Sequence, residues 1–320
     1  MTVKRPLLRA SARFVNAVCG FALIFSVAAC SNKKDKQDST VILNNEPSVQ
    51  LQVIWSTGPL VGPVRDIAIT AGPSPLMLVA YENNQAQLFD LDGDPLIDAT
   101  DLNLKAVASG VVTRFSGLDI VLFPALESDG VPKLVGYSPS MTTPLALAFP
   151  DKERPLGGIC SLPSSTGDTL AKVAFWTEEE PDLIQTGDLY LEEDQILWRA
   201  SESQSSDGRQ QSCFFLPSGE LSVSPRAHHI KLEYPNETIA LHRDDVDIKL
   251  TDKSGENGVS FKPGVTIKAP TTVTAFTGTP KVSVGSYRDG MLVVAGSDAT
   301  GENRVTFIDP VGLLGLDDNS

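Results

Sequence analysis

The chain has few of the residues and motifs from which many enzyme active sites are built. Its 320 residues include three histidines, four cysteines and 7% aromatic residues. It contains no G-x-S-x-G elbow, P-loop, dinucleotide-binding glycine pattern or C-x-x-C pair. These absences remove the sequence evidence for an α/β-hydrolase, a nucleotide-binding enzyme or a dithiol redox centre. The low aromatic content also weighs slightly against a carbohydrate-binding surface.

Positive charge is scarce as well. The sequence has 26 Lys and Arg against 40 Asp and Glu, for a net charge of −14. Four of the cations lie before Phe14, and without them 22 cations face the 40 acids, a balance of about −18. Such a surface repels nucleic acid and anionic lipid and attracts metal cations and cationic ligands. We therefore expect no nucleic-acid partner.

The N-terminal segment 1–29 has the pattern of a secretory signal peptide. Lys4, Arg5, Arg9 and Arg13 come first without any acid, and a mainly apolar run follows, from position 14 to 29. That run contains an asparagine and is shorter than the roughly 20 residues that a membrane-spanning helix needs. The segment is therefore predicted to be a targeting sequence that is removed from the mature protein.

The end of this segment, Val27-Ala28-Ala29-Cys30, resembles the lipobox of bacterial lipoproteins. The resemblance implies that Cys30 receives a diacylglyceryl group and becomes the new N-terminus, and several acyl chains together give a stable anchor. Ser31 resembles the residue of lipoproteins sorted to the outer membrane, facing the periplasm. An ordinary cleaved signal is the alternative.

Residues 30–49 are polar and predicted to form a flexible tether, and residues 50–320 are predicted to form the folded domain.

Two cysteines, Cys160 and Cys213, remain in that domain. In an oxidising compartment they can form a disulfide, which would close a loop of about 50 residues and contribute roughly 2 to 4 kcal/mol. Two buried free thiols are the alternative.

The domain is predicted to be all-β. Short runs rich in Val, Ile, Leu and Thr alternate with Gly, Pro, Asn and Asp pairs, a spacing typical of sandwiches, barrels and propellers. No segment of the domain has a helical period of more than about two turns, and the best helix candidate is around 100–108. The clearest predicted strands are 51–55, 66–70, 77–81, 86–91, 119–123, 133–137, 172–176, 188–191, 281–287, 291–295 and 305–308.

Several of these strands recur as similar hairpins. PLMLVAYENNQAQLFDLDG, LDIVLFPALESDGVPKLVGYSP and GMLVVAGSDATGENRVTFIDPVG each contain two apolar strands around a polar tip. Recurrence of such units at intervals of about 40 to 55 residues is typical of propeller blades. The domain is therefore predicted to be propeller-like, with up to six four-stranded blades.

Three segments resemble the β-propeller phytases, six-bladed enzymes that use calcium to release phosphate from inositol phosphates. They are FDLDG at 89–93, GGICSLPSSTG at 157–167 and GDLYLEEDQILWRA at 187–200. The resemblance implies that Glu192, Glu193 and Asp194 bind calcium, which takes six to eight oxygen ligands. It also implies that Arg114 faces a phosphate ester.

The chain departs from that family where metal ligands are expected. The paired aspartates near the first strand are reduced to Asp66 in the stretch Val64-Arg65-Asp66-Ile67, and other acidic motifs have no clear counterpart. Two functions therefore stay open. One is a lipid-anchored propeller that acts as a binding or scaffold module for a protein or phosphate-ester ligand. The other is a calcium-dependent phosphatase of the phytase type.

Two further patterns suggest metal sites and are less favoured. Asp90, Asp92, Asp94, Asp98 and Asp101 match the ligand positions of an EF-hand loop. Proline occupies the position that needs a glycine turn, so we predict a hairpin turn with Asp92-Gly93 at its tip.

The histidines are the second pattern. His228 and His229 are adjacent, and neighbouring side chains on a strand point to opposite faces. A metal shared by this pair and His242 is therefore not expected.

Overall fold

The computed structural model describes residues 49–313 except 71–73, 153, 165–166, 235–237, 253–254, 280–289 and 311. The signal peptide, Cys30 and the tether to residue 48 lie outside the described residues, as does the predicted strand at 281–287. The described part contains 23 strands and no α-helix. None of it forms a helix long and apolar enough to cross a membrane. The domain is all-β, as predicted.

The strands follow one another in six groups along the chain. Group 1 contains β2 Val64–Ile69, β3 Met77–Tyr81, β4 Gln85–Phe89 and β5 Thr100–Asp101; group 2 contains β6 Leu104–Val107, β7 Val111–Phe115, β8 Leu118–Glu127, β9 Pro132–Tyr137 and β10 Leu145–Ala148; group 3 contains β11 Leu156–Pro163, β12 Thr169–Thr177, β13 Leu183–Glu192 and β14 Gln195–Ser205; group 4 contains β15 Ser212–Phe215 and β16 Leu221–Ser224; group 5 contains β17 His229–Glu233, β18 Thr238–Asp244, β19 Asp247–Asp252 and β20 Gly255–Lys262; group 6 contains β21 Pro270–Thr279, β22 Met291–Asp298 and β23 Asn303–Ile308, and the N-terminal strand is β1 Val49–Ser56.

Each group is an antiparallel meander, and the groups are arranged like propeller blades. The first strands contact one another in a closed circuit: β2 contacts β6, β6 contacts β11, and the contacts continue through β15, β17 and β21 back to β2. In group 2, β6 and β7 both pair with β8, so these two strands together take the place of a single first strand. Group 4 has two strands in the described residues, so the expectation of four strands in every blade is wrong there. Because β14 ends at Ser205 and β17 begins at His229, the chain between them is too short for four strands with their turns.

The N-terminal strand joins the last two groups. The first half of β1 pairs parallel with β20, with Leu51 opposite Phe261, and its second half pairs antiparallel with β23. Groups 5 and 6 therefore form one sheet in the order β17-β18-β19-β20-β1-β23-β22-β21. Val49, Leu51 and Val53 alternate with exposed or half-buried residues, as expected for a strand with one face in the core.

The core is divided into clusters between neighbouring groups. Separate apolar clusters fill the spaces between groups 1 and 2, 2 and 3, 3 and 4, 5 and 6, and 6 and 1. The cluster between groups 3 and 4 is the smallest, with five buried residues. Strands such as β3, with the sequence MLVAY, are buried along their whole length because they contact both neighbours.

The apolar strands were predicted well and the polar ones were missed. The run 77–81 coincides with β3, and 133–137 lies within β9. The weak helix candidate at 100–108 is wrong, because this segment contains β5 and β6. No strand was predicted between 192 and 280, where the structure has β14 to β21.

Candidate functional site

A cavity of about 480 Å³ lies where the first strands of the six groups meet. Its wall includes residues of β2, β6, β11, β15, β17 and β21. This volume is within the range of small-molecule sites, about 300 to 1,000 Å³. The ionisable groups on the wall are Arg65, Asp66, Glu82, Lys105, His228, His229 and Arg243.

Asp66 connects two of the first strands. Its Oδ1 accepts the backbone N–H of Ile67 at 2.9 Å, and its Oδ2 accepts the backbone N–H of Val107, on β6, at 2.8 Å. Burial raises the pKa of Asp66 from 3.8 to about 7, although these two N–H groups and the charge of Arg243 act in the opposite direction. The side chain is 18% accessible, and Asp66 is part of the cavity wall.

His228 lies beside this carboxyl group. Its Nδ1 is 3.8 Å from Oδ1 of Asp66, and its ring centroid is 6.2 Å from that of Phe276. Burial, and then the charge of Arg243, lower the pKa of His228 to about 4. The imidazole is therefore neutral at pH 7, with one nitrogen that donates and one that accepts a hydrogen bond.

His228 and His229 are both part of the cavity wall, and their side chains have different partners, Asp66 for His228 and Ser222 for His229. His228 has a left-handed backbone, with φ of 49°, and it precedes β17, so the alternation of a strand does not apply to it. The Nε2 of His229 lies 3.0 Å from the Oγ of Ser222 on β16. Burial, with the charges of Lys231, His242 and Arg226, lowers the pKa of His229 to about 4.

Two arginines on the wall are held by backbone carbonyl groups. Arg243, on β18, donates a hydrogen bond to the carbonyl oxygen of Thr274 on β21. Arg65 donates to the carbonyl oxygens of Leu104 at 3.0 Å and Glu82 at 2.9 Å. Within the described ranges, no carboxylate oxygen lies within 4.0 Å of a guanidinium nitrogen of either arginine.

A disulfide borders the same cavity. Cys160 on β11 and Cys213 on β15 are joined, with a Cα–Cα distance of 5.8 Å. Cys160 belongs to the small apolar cluster between groups 3 and 4, and Cys213, which is partly buried, packs against it. The bond therefore links group 4 covalently to its neighbour.

The acids predicted to bind calcium lie away from the cavity, in a tight turn. Glu192 ends β13, Glu193 and Asp194 form the turn to β14, all three are exposed, and the last two have positive φ values of 47° and 59°. The Oδ1 of Asp194 accepts the backbone N–H of Ser116 at 3.2 Å. Arg114, the predicted phosphate ligand, is exposed on β7 and does not line the cavity. Over the described positions, no three His, Cys, Asp or Glu side chains are grouped closely enough to hold a metal ion.

The predicted hairpin turn at Asp92-Gly93 is present. The Oδ1 of Asp90 accepts the backbone N–H of Asp94 at 2.9 Å, and Gly93 takes a positive φ of 79°. The carboxyl group of Asp90 thus stabilises the turn through a backbone N–H group, as aspartate does in many turns.

The cavity residues were mostly missed by sequence reasoning. Asp66 is the exception, because the resemblance to phytases places paired acids at this strand. Arg243 and His228 give no signal of a site shared with Asp66, since they lie in the fifth group or just before it and Asp66 lies in the first. Only the closed circuit of strands brings them together.

No family model matches the chain, and no curated protein matches it. Among solved structures, it is similar to a mutant of the Aleuria aurantia lectin in complex with Fucalpha1-6GlcNAc, at 9% identity and a TM-score of 0.46, over 78% of this chain and 98% of that one. It is also similar to a mutant of AofleA from Arthrobotrys oligospora, at 7% identity and a TM-score of 0.45, over 76% of this chain and 83% of that one. A third similar structure is BBS1N in complex with ARL6DN, at 7% identity and a TM-score of 0.36, over 79% of this chain and 92% of that one. Likeness at this level identifies neither a ligand nor an activity.

Proposed function

We propose that the chain is a lipid-anchored protein of the cell envelope whose six-bladed propeller acts as a binding module. Support for six blades comes from the closed circuit of first strands, in which each of the six groups contacts two others. In this arrangement, β1 completes the last blade, and group 4 is a blade reduced to two strands.

The central cavity is the observation that carries the proposed binding function. It is lined by the first strand of every group, so a ligand bound there would contact all the blades. Its wall combines apolar residues such as Ile159 and Phe276 with several charged side chains, a composition typical of small-molecule sites.

Binding is tested by thermal unfolding of the full-length chain in a non-ionic detergent. Neutral, cationic and anionic small molecules are added singly, and a ligand of the folded state raises Tm by mass action. The control is Thr277→Trp, which places a large ring on the cavity wall. We expect at least one class to raise Tm of the wild type and not of the variant. No shift with any class, or equal shifts in both proteins, would reject the cavity as a binding site.

The lipid anchor is supported by the lipobox resemblance at Val27 to Cys30. We expect the wild-type chain to incorporate labelled palmitate and to sediment with membranes, and Cys30→Ser to do neither, because the thiol is the acceptor of the lipid. A cleaved Cys30→Ser product that stays on the membrane would contradict the anchor.

The alternative, a calcium-dependent phosphatase, stays a prediction from the phytase resemblance. It is distinguished by phosphate release from inositol hexakisphosphate, with calcium and with chelator. Turnover that needs calcium and is lost in Glu193→Ala would replace the binding module by an enzyme. The position of Glu192, Glu193 and Asp194 in one turn outside the cavity favours the binding module.

A further inference from the structure

The cavity wall has more cationic than acidic side chains, whereas the whole chain has more acidic than cationic ones. The chain carries −14, but the cavity wall has three cations, Arg65, Lys105 and Arg243, and two carboxyl groups, Asp66 and Glu82. A wall with more cations than acids, in a protein that is otherwise acidic, concentrates positive potential in the cavity.

The three cations differ in how far their charge is already neutralised. The Nζ of Lys105 forms an ion pair with Glu178 at 2.9 Å, outside the cavity wall. Arg65 is held by two carbonyl groups and by the Oγ of Ser128 at 3.2 Å. Arg243 is held at one guanidinium nitrogen, by the carbonyl group of Thr274. In the part of the chain that the structure describes, Arg243 is thus the wall cation with the most donor groups left for a ligand.

Arg243 shares the cavity wall with Asp66 and with His228, whose carbonyl oxygen accepts the backbone N–H of Arg243 at 3.1 Å. His228 is neutral and can donate one N–H group, and Asp66 can donate its O–H group when protonated. A guanidinium group presents parallel N–H donors that match the two oxygens of a carboxylate or phosphate. One fixed charge beside a neutral imidazole and, below pH 7, a protonated carboxyl group is a suitable arrangement for a single small oxyanion.

We propose that the central cavity binds a small molecule with a carboxylate or phosphate group, and that Arg243 is its anchor. The proposal rests on the binding function proposed above and names the chemical class of the ligand. The bound anion sits against Arg243, His228 and Asp66, between β2, β18 and the turn before β17.

Ionisation of the carboxyl group of Asp66 between pH 6 and 8 weakens binding relative to a variant without this group, because the carboxylate repels the anion. The other charged groups on the wall are Arg65 on β2, Glu82 after β3, Lys105 on β6, and Arg243 on β18. His228 and His229 stay neutral in this window. The wall residues of β11, β15 and β21 carry no ionisable group apart from the disulfide-bonded cysteines.

The test is isothermal titration of the full-length chain in non-ionic detergent, with inorganic phosphate in one arm and citrate in the other. We expect saturable binding of at least one probe, and a loss of about tenfold or more in affinity in Arg243→Gln, since a charged pair is lost. Arg243→Lys should keep part of the affinity. The matched control is Arg199→Gln, at an exposed arginine stacked on Tyr190 outside the cavity, which should bind like the wild type.

The two arms separate the sources of the oxyanion: binding of phosphate alone indicates a phosphate ester, and binding of citrate alone indicates a carboxylate. If Arg243→Gln does not fold, the pH series decides, because the affinity of the wild type relative to that of Asp66→Asn should fall several-fold from pH 6 to 8, and the ionisation of the probe cancels in this ratio. No binding of either probe, or binding unaffected by both substitutions, overturns the proposal. A neutral or cationic compound that raises Tm in the earlier experiment would then leave the binding function in place.

Discussion

At the scale of single residues, the cavity contains ionisable groups whose pKa values move in opposite directions. The pKa of Asp66 is raised to about 7, so its stabilising contribution is full below pH 3.8 and is lost as pH rises through 7. The pKa values of His228 and His229 are lowered to about 4, so their contribution is full above pH 6.5 and is lost as pH falls through 4. Stability therefore depends on Asp66 on the alkaline side and on the histidines on the acid side.

Substitution of Asp66 isolates the contribution of this residue to the loss of stability at alkaline pH. In the wild type, ionisation of Asp66 should lower the free energy of unfolding by about 3 kcal/mol or less between pH 5 and 8. We expect this decrease to be absent in Asp66→Asn. The variant also loses one hydrogen bond, to the N–H of Ile67 or Val107, so it should be less stable than the wild type at pH 5.

Urea unfolding at pH 5 and pH 8 measures this difference. Asp119→Asn, at an exposed acid on β8, is the control and should follow the wild type at both pH values. Equal pH dependence of the Asp66→Asn variant and the wild type would show that Asp66 ionises normally in the folded state.

At the scale of elements, group 4 is the least supported part of the circuit. It has two strands and shares a cluster of five buried residues with group 3. Toward group 5 its described contacts include polar ones, such as that between Ser222 and His229. The Cys160–Cys213 bond is the covalent link that keeps β15 beside β11.

Removal of this bond should loosen group 4 before the rest of the domain. The bond spans 53 residues in sequence, and a loop of this length contributes about 2 to 4 kcal/mol. We expect the double variant Cys160→Ala, Cys213→Ala to lose about that much free energy of unfolding, and limited proteolysis to cleave it first between 206 and 226. Unchanged stability and an unchanged cleavage pattern would show that apolar packing alone holds group 4.

The same elements show what the sequence can predict. β3 and β9 are apolar runs bounded by turn residues, so pattern alone locates them. β16, with the sequence LSVS, and β17, with HIKLE, are short and alternate with polar residues. Such segments become strands through pairing with neighbours, which the local sequence does not reveal. The cavity is harder still to predict, because Asp66, His228 and Arg243 meet only when the circuit closes.

At the scale of the whole molecule, one short strand joins the two ends of the domain. β1 comes first in the sequence and pairs with both β20 and β23 near the end. Without it, groups 5 and 6 would share no hydrogen-bonded sheet. The cavity, which needs the first strands of all six groups in place, therefore depends on a strand that does not line it.

This dependence predicts that damage to β1 lowers the stability of distant groups as well. Leu51 is fully buried, so Leu51→Ala should cost about 2 to 5 kcal/mol, whereas Gln50→Ala, at an exposed neighbour, should stay within about 0.5 kcal/mol. Urea unfolding is followed by circular dichroism and by tryptophan fluorescence in a Trp55→Phe background, where Trp176 and Trp198 report on group 3. If the domain unfolds as one unit, both signals shift together in Leu51→Ala. A fluorescence transition that stays in place while the dichroism moves would mean that group 3 is stable without the closure at β1, and that the cavity can open on one side while the rest stays folded.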